Sequence, residues 1–252
     1  MKLKTKLTLK SYAKVNLFFR VFSKRPDGYH DIASLMQRAP LFDLIEIELS
    51  DRDAFFCPNH LPSDGRNLAI AARNLFRQTV SIPFSATITL TKNIPIMAGL
   101  GGGSSNAATV LMGLNTLLGS PLSNRDLITL GAKLGSDVPF FFSKTPAYVR
   151  GRGEILEPID FTPLPITLFS PPFGLSTKEV FTHHQVTPGP DPDRLVEGFL
   201  NGAPQLINDL EKTSFALEPR LKAFKEGIET PSPSHVVMTG SGSTFLRINH
   251  TP

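Results

Sequence analysis

The chain has 252 residues, 40% of them hydrophobic and 19% charged, and a formal net charge of +4. This is ordinary globular composition, long enough for one large or two modest domains. No stretch approaches the ~18 consecutive apolar residues of a membrane span. Cys57 is the only cysteine, which excludes a disulfide framework or a zinc knuckle and fits a reducing cytoplasm. We therefore expect a cytoplasmic protein with no membrane partner.

The positive charge is spread along the chain. Lysines and arginines form no long run and no stripe at helical spacing. A protein that binds nucleic acid concentrates its positive charge on one surface. The pattern favours the mildly basic surface of an enzyme, and we expect no nucleic-acid partner.

The first predicted elements are strands. β-branched and aromatic residues over 7–22 predict one strand, and period-two alternation over 41–50 predicts another. We interpret the basic N-terminus as the opening strand rather than a signal peptide. Over 67–79, the spacing of apolar side chains predicts a helix with Asp64 as a cap upstream. The predicted buried face of this helix consists of Leu68, Ala71, Ala72 and Leu75.

The middle of the chain continues with mixed elements. Residues 84–95 alternate as a strand does, and residues 107–118 carry the apolar face of a helix. A second helix is predicted over 123–135, with a Ser/Asn cap at its start. The three phenylalanines at 140–142 are expected in the core.

The two ends of the chain differ in composition. Prolines crowd between residues 158 and 172, which places a domain boundary near residue 160. Because strands and helices mingle without steady alternation, we favour an α+β fold over a doubly wound sheet. The expected domains are 1–160 and 161–252.

A glycine-rich loop connects the strand predicted over 84–95 to the helix predicted over 107–118. The stretch "NIPIMAGLGGGSSNAATVLMGLN" begins at Asn93 and has four glycines within 99–103. It lacks the lysine of a P-loop and the third glycine of a dinucleotide fingerprint. A strand, a glycine turn and a helix N-terminus nevertheless make an anion site, because free backbone N–H groups and the helix dipole meet there. Ser104 and Ser105 are expected to cap the helix and to donate to phosphate or contact phosphate-bound Mg²⁺. The alternative is a tight turn capped by serine, which needs only one or two glycines.

This loop resembles the ATP-phosphate loop of the GHMP kinases, which phosphorylate small alcohols. The resemblance implies ATP as cofactor, with Mg²⁺ bridging phosphate oxygens. It also implies a two-domain fold, with a ribosomal-protein-S5-domain-2-like N-terminal domain and a ferredoxin-like C-terminal domain. The residues that carry the resemblance, and that would bind ATP, are Pro95, Gly99, Leu100, Gly101, Gly102, Gly103, Ser104 and Ser105, followed by Ala107 and Ala108.

Two charged residues and a second glycine turn extend the resemblance. Alone, Lys14 is explained as an edge-strand lysine and Asp137 as a turn aspartate. "AKVNL" and "LGSDVPFF" are similar to the elements that carry the catalytic lysine and aspartate of GHMP kinases. By resemblance, Asp137 would accept the proton of the substrate hydroxyl and Lys14 would pair with it. The alternative, that Asp137 mainly orients the hydroxyl, stays open. The turn with Gly240 and Gly242, alone a simple hairpin, is similar to the motif that closes the substrate site.

The sequence also indicates the acceptor. Tyr29 and His30 follow a Pro-Asp-Gly turn and offer two planar groups; alone they are a surface turn with a satisfied histidine. Together with "GRGE" and "NDLE", the set resembles one branch of the GHMP kinases. That resemblance implies phosphorylation of the 2-hydroxyl of a methylerythritol linked to cytidine diphosphate (CDP), in the non-mevalonate route to isoprenoids. Tyr29, His30 and Phe181 would hold the cytosine, and Asn16 would touch the methylerythritol. Asp is common at the position of Asn106 in such loops. We expect Asn there not to impair activity, because it neither supplies nor removes a required hydrogen-bond donor.

Three rival functions remain open from the sequence: another GHMP kinase acting on mevalonate, homoserine or a sugar; a basic RNA-binding module; and a non-catalytic nucleotide-binding relative. No metal-ligating side chains are predicted, since His183 and His184 lack a third ligand at useful spacing and are interpreted as surface histidines. The family usually continues for another helix and strand beyond the position of Pro252, so either this member is short or this sequence lacks its end. The sequence carries no signal for an oligomeric state.

Overall fold

The computed structural model describes residues 5–58, 61–229 and 236–249. Helices and strands mingle along the chain, which confirms the predicted α+β class. The strands are β1 Lys6–Lys24, β2 His30–Leu49, β3 Ala54–Phe56, β4 Ala86–Thr91, β5 Ala147–Gly151, β6 Ile155–Pro158, β7 Ile166–Phe169, β8 Ile207–Asn208, β9 Val236–Met238 and β10 Phe245–Ile248. The helices are α1 Leu68–Thr79, α2 Gly102–Leu117, α3 Asn124–Leu134, α4 Thr177–His183, α5 Pro192–Leu200, α6 Glu211–Leu217 and α7 Arg220–Ile228, with a short 3-10 helix at Pro139–Phe142.

The chain divides into two compact units, and both are discontinuous in sequence. Strands β1 and β2 are long enough that each contributes to both units. The boundary near residue 160 stays a prediction. The first unit consists of Met1–Ala13, Pro40–Ile94 and Gly101–Lys144, and the second of Lys14–Ala39, Pro95–Leu100 and Thr145–Pro252.

The first unit packs three helices with a small sheet. Strand β4 pairs antiparallel with the second half of β2 and parallel with β3. Alternation along β2 places Asp43, Ile45 and Ile47 on its buried face. The strands predicted over 41–50 and 84–95 are thereby confirmed, as are the helices that became α1, α2 and α3.

The start of α1 differs from the prediction. Asn67 is its N-cap, and the Asn67 side chain accepts a hydrogen bond from the Ala69 N–H. Asp64 lies too early, because residues 64–67 form a turn closed by the Asn67 N–H, and Asp64 instead binds Arg66. Of the predicted buried face only Ala72 is fully buried; the buried residues are Ala69, Ile70, Ala72, Arg73 and Phe76.

The second unit contains two groups of paired strands. The first half of β2 pairs with β5, which pairs with β6, and the second half of β1 pairs in parallel with β8. Strand β10 lies between β7 and β9, antiparallel to both. The β9–β10 pair confirms the predicted hairpin. Phe245 is a fully buried member of an apolar cluster, and burial of such a side chain contributes roughly 1.5–3 kcal/mol. No helix in the described ranges is long and apolar enough to cross a membrane.

Candidate active site

The glycine loop leads directly into helix α2. Gly101 caps this helix in the left-handed conformation, with φ of +64°, and no side chain caps it. The prediction that Ser104 and Ser105 cap α2 is wrong, because the helix begins at Gly102 and both serines lie inside its first turn. The Ser105 N–H donates to the Gly101 carbonyl at 2.9 Å, whereas the N–H groups of Gly102, Gly103 and Ser104 have no intrahelical acceptor, which is the arrangement that binds anions.

The four loop positions differ in why they require glycine: some need a positive φ, and others have no room for a Cβ. Gly99 and Gly101 have positive φ, and a Cβ at Gly99 would lie 2.4 Å from the Thr239 carbonyl oxygen. A Cβ at Gly102 would lie 2.9 Å from Lys92 Nζ. Gly103 is exposed, and a Cβ there would make only an ordinary contact, at 3.5 Å. Packing and backbone geometry therefore explain three of the glycines but not Gly103.

The side chains after the loop face inward. Ser11 Oγ donates to Ser105 Oγ at 2.7 Å, and Asn106 Nδ2 donates to Ser11 Oγ at 2.9 Å. Asn106 Nδ2 also donates to Asp43 Oδ2 at 2.9 Å. The premise that Asn106 supplies no donor is wrong, because its amide donates to a buried carboxylate; the expectation that Asn at this position does not impair activity stays a prediction. A role for Ser105 at phosphate stays a prediction, whereas Ser104 is half-exposed.

Asp137 lies in the turn between α3 and the 3-10 helix. The 3-10 helix contains Phe140, Phe141 and Phe142, which are buried as predicted. Gly131 of α3 allows this turn to pack closely, since a Cβ there would lie 2.9 Å from both Val138 and Phe142. A Cβ at Gly135 would lie 3.9 Å from Ser104 Oγ. The turn that carries Asp137 is thus held beside the first turn of α2, within the same unit.

Lys14 is almost fully buried in the second unit. Its Nζ donates to Asn16 Oδ1 at 2.7 Å, and its backbone N–H donates to the Leu100 carbonyl at 3.0 Å. Asn16 Nδ2 donates to Ser34 Oγ, and the Asn16 N–H donates to Thr239 Oγ1. Asn16 therefore orients the Lys14 ammonium, and its contact with a substrate stays a prediction.

The second glycine turn adjoins this lysine. Gly240 and Gly242 have φ of +57° and +90°. A Cβ at Gly240 would lie 3.2 Å from the Gly99 carbonyl oxygen and 3.4 Å from Lys14 Nζ, and one at Gly242 would lie 2.7 Å from Met238 Sδ. The turn thus packs against the start of the glycine loop, within the second unit.

The "NDLE" segment holds this second turn, a role that the sequence did not predict. Asn208 Nδ2 donates to the carbonyls of Met238 and Gly240, at 2.6 and 2.8 Å. Glu211 Oε2 accepts from the Met238 N–H at 2.9 Å. Asp209 accepts from Arg20 Nε at 2.8 Å, and both side chains are buried. An amide and two carboxylates within four residues were the available signal.

The Pro-Asp-Gly turn forms as predicted, with Gly28 at φ +87°. Tyr29 follows it and is 55% exposed. The Arg152 guanidinium, from the "GRGE" segment, lies over the Tyr29 ring at 5.0 Å from its centroid. One face of the tyrosine is therefore occupied by a cation.

His30 and Phe181 lie together, as the predicted substrate site requires. Their ring centroids are 5.6 Å apart at an interplanar angle of 33°. His184, predicted to be a surface residue, is half-buried, and its ring lies edge-on to His30 at 6.4 Å. Burial lowers the pKa of His30, with a smaller effect from Lys24. Burial likewise lowers the pKa of His184, opposed by Asp209 and assisted by His30.

Comparison with known proteins places this fold and these elements in one class. Residues 67–145 match the family model described as GHMP kinases N terminal domain. A crystal structure of homoserine kinase from Cytophaga hutchinsonii shares the fold, with a TM-score of 0.74 at 18% identity over 99% of this chain and 86% of that one. Together with relatives that are 38–39% identical over nearly the whole chain, these matches show that the chain is a small-molecule kinase of the GHMP type.

The relatives with higher identity define the family further. The 4-diphosphocytidyl-2-C-methyl-D-erythritol kinase of Protochlamydia amoebophila is 38% identical over 96% of this chain and 84% of the relative. That of Geobacillus kaustophilus is 39% identical over 97% and 89%. A crystal structure of 4-(cytidine 5'-diphospho)-2C-methyl-D-erythritol kinase aligns with a TM-score of 0.82 at 33% identity, over 98% of this chain and 91% of that one. The chain belongs to the 4-diphosphocytidyl-2-C-methyl-D-erythritol kinase family.

Proposed function

We propose that this chain transfers the γ-phosphoryl group of ATP to the 2-hydroxyl of 4-diphosphocytidyl-2-C-methyl-D-erythritol, a step of non-mevalonate isoprenoid synthesis. The observation that carries the proposal is the amino end of α2, which has no side-chain cap and lies beside the turn bearing Asp137. Membership of the family supports the identity of the acceptor.

The chemistry needs an oriented hydroxyl and neutralised phosphate oxygens more than covalent help from the protein. Asp137 accepts the proton of the substrate 2-hydroxyl. The hydroxyl oxygen bonds to the γ-phosphorus of ATP while the bond between that phosphorus and the leaving ADP oxygen breaks. Lys14 offsets negative charge on the transferring group. The hydrogen bond from Lys14 to Asn16 supports this role, because it fixes the direction of the ammonium.

The nucleotide phosphates are assigned to the loop from Pro95 to Ser105, with closest approach at Gly103. In the described part of the chain, no group of three or more His, Cys, Asp or Glu side chains could hold a metal ion. Mg²⁺ would be held by the phosphate oxygens, with the Ser104 hydroxyl as the contributing protein group. When bound there, Mg²⁺ neutralises phosphate charge.

The acceptor is assigned to the second unit. His30 and Phe181 hold the cytosine, Tyr29 contributes through the face that Arg152 leaves open, and Asn16 contacts the methylerythritol. The turn of Gly240 and Gly242 closes on the substrate.

The setting of the reaction follows from the same assignment. We propose action in the cytoplasm on a small molecule, without a nucleic-acid or membrane partner. The lone Cys57 and the dispersed charge support this setting.

Competition with CMP tests the acceptor. We expect CMP to compete with the cytidyl substrate and not with ATP, because the cytosine is held by His30 and Phe181. His30→Ala weakens CMP binding by roughly tenfold, the effect of losing about 1.4 kcal/mol, and leaves ATP affinity nearly unchanged. His183→Ala, which replaces an exposed histidine of the same helical segment as Phe181, is the control. CMP inhibition that is absent in the unmodified protein, or equal losses for both ligands, contradicts the assignment.

A further inference from the structure

A fully buried carboxylate lies behind the glycine loop and has no part in the reaction just described. Asp43 is on the inward face of β2, with 0% exposure. Its Oδ1 accepts from the backbone N–H groups of Asn93 and Ile94, at 2.7 and 2.8 Å. Its Oδ2 accepts from Lys92 Nζ at 2.7 Å and from Asn106 Nδ2 at 2.9 Å. Both oxygens are therefore engaged by two donors each.

These four donors come from the two ends of the glycine loop. Lys92, Asn93 and Ile94 immediately precede the loop, and Asn106 lies in α2 immediately after it. One carboxylate thus ties the chain entering the loop to the helix leaving it. Ser11 adds a parallel connection, because it bonds both Asn106 and Ser105.

The Lys92 ammonium makes this attachment tight. Lys92 Nζ also donates to the Ile94 carbonyl at 2.6 Å, and burial lowers the pKa of Lys92 despite the opposing effect of Asp43. The same Nζ would lie 2.9 Å from a Cβ at Gly102, which is the first residue of α2. Separation of a buried ion pair leaves each charge uncompensated, which is costly. The Lys92–Asp43 pair therefore favours the loop geometry that keeps the two side chains in contact.

We infer that Asp43 is a positioning residue for the nucleotide phosphates. It holds both ends of the glycine loop so that the N–H groups at the amino end of α2 are oriented before ATP arrives. Donors that are fixed in advance stabilise developing charge without reorganisation. The inference rests on the proposed function, since it takes the loop as the site of ATP.

An exchange of two side chains tests the inference. Asp43→Asn removes the charge that Lys92 pairs with, and Asn106→Asp places a second carboxylate against Asp43. Each single variant is expected to weaken Mg·ADP binding at least tenfold, measured by calorimetry. The double variant Asp43→Asn/Asn106→Asp keeps one carboxylate and one amide between these two positions, although the residue-43 amide no longer accepts from Lys92 Nζ. We expect it to bind Mg·ADP more tightly than either single variant and less tightly than the unmodified protein.

The KM values separate positioning from general damage. KM for ATP rises in the single variants, whereas KM for the cytidyl acceptor stays within about twofold. Ser11→Ala keeps the ion pair intact and is the milder variant if Asp43→Asn does not fold; we expect a two- to fivefold loss in Mg·ADP affinity. Unchanged nucleotide binding in folded single variants overturns the inference. Failure of the unmodified protein to bind Mg·ADP overturns the proposed function instead.

Discussion

The two glycine-rich segments of this chain look alike in sequence and differ in the reason for their glycines. In the second turn, Gly240 and Gly242 both have positive φ, and close neighbours would meet a Cβ at either position. In the first loop, Gly99 likewise has a positive φ and no room for a Cβ. Gly103 does not, because it has an ordinary helical backbone and a Cβ there would make only an ordinary contact, at 3.5 Å from Leu68.

The difference separates folding from ligand binding. A glycine that the backbone demands says nothing about a ligand, whereas a glycine that neither backbone nor packing demands points to something that approaches from outside. Gly103, at the exposed first turn of α2, is that position. The predictions below test this separation.

The largest expected effect lies outside both segments, at Asp137. Asp137→Asn removes the proton acceptor while keeping size and shape, so we expect kcat to fall by roughly 10²- to 10⁴-fold, with ATP affinity retained. Rapid-quench assays of ADP formation measure the loss, and Asp51→Asn, at an exposed carboxylate of the same unit, is the control. A normal kcat in Asp137→Asn removes this residue from the mechanism.

Gly99→Ala should act on folding. It combines a positive φ with a Cβ 2.4 Å from the Thr239 carbonyl oxygen, and we expect unfolding free energy to fall by roughly 3 kcal/mol or more. Gly202→Ala is the matched control, because Gly202 also has positive φ but nothing within 4 Å of the added Cβ; it should cost about 1–2 kcal/mol. Equal losses in urea unfolding would show that packing against the second turn is unimportant.

Gly103→Ala should act on the ligand. We expect the unfolding free energy to stay the same or rise by roughly 0.5 kcal/mol, as for other helical Gly→Ala changes, while KM for ATP rises about tenfold. Gly227→Ala, in α7 with open surroundings, should give the same stability change and leave KM for ATP unaltered. If Gly103→Ala binds ATP normally, the separation of the two kinds of glycine fails.

The smallest effect is a pH dependence in the second unit. Burial lowers the pKa values of His30 and His184 below the ordinary 6.5, so the unfolded chain binds more protons than the native protein in acid. Stability therefore falls as pH decreases below about 6.5 towards the lower native pKa values. The variant His30→Gln/His184→Gln should show a flatter dependence in urea unfolding between pH 7.5 and 5. An unchanged slope would mean that neither imidazole titrates differently on folding.

Much of the fold was predictable because local patterns and burial agree. The strands at 41–50 and 84–95 and helix α3 with its Ser123 cap follow directly from alternation and capping chemistry. The start of α1 was mispredicted because a turn competes with the cap at Asp64.

The site was predictable only where a motif exposes its chemistry. The glycine loop could be recognised, but the buried bonds of Asn106 could not, since its partners Ser11 and Asp43 are 95 and 63 residues away. Asp43 did leave one signal: a carboxylate on the apolar face of an alternating strand, where burial requires partners.

The most direct test of the account is ADP release from Mg·ATP with four acceptors: the cytidyl methylerythritol, mevalonate, homoserine and galactose. We predict turnover with the cytidyl substrate and none of comparable rate with the other three. Turnover with another alcohol in its place would keep the glycine loop and Asp137 but contradict the assignment of the acceptor to His30 and Phe181.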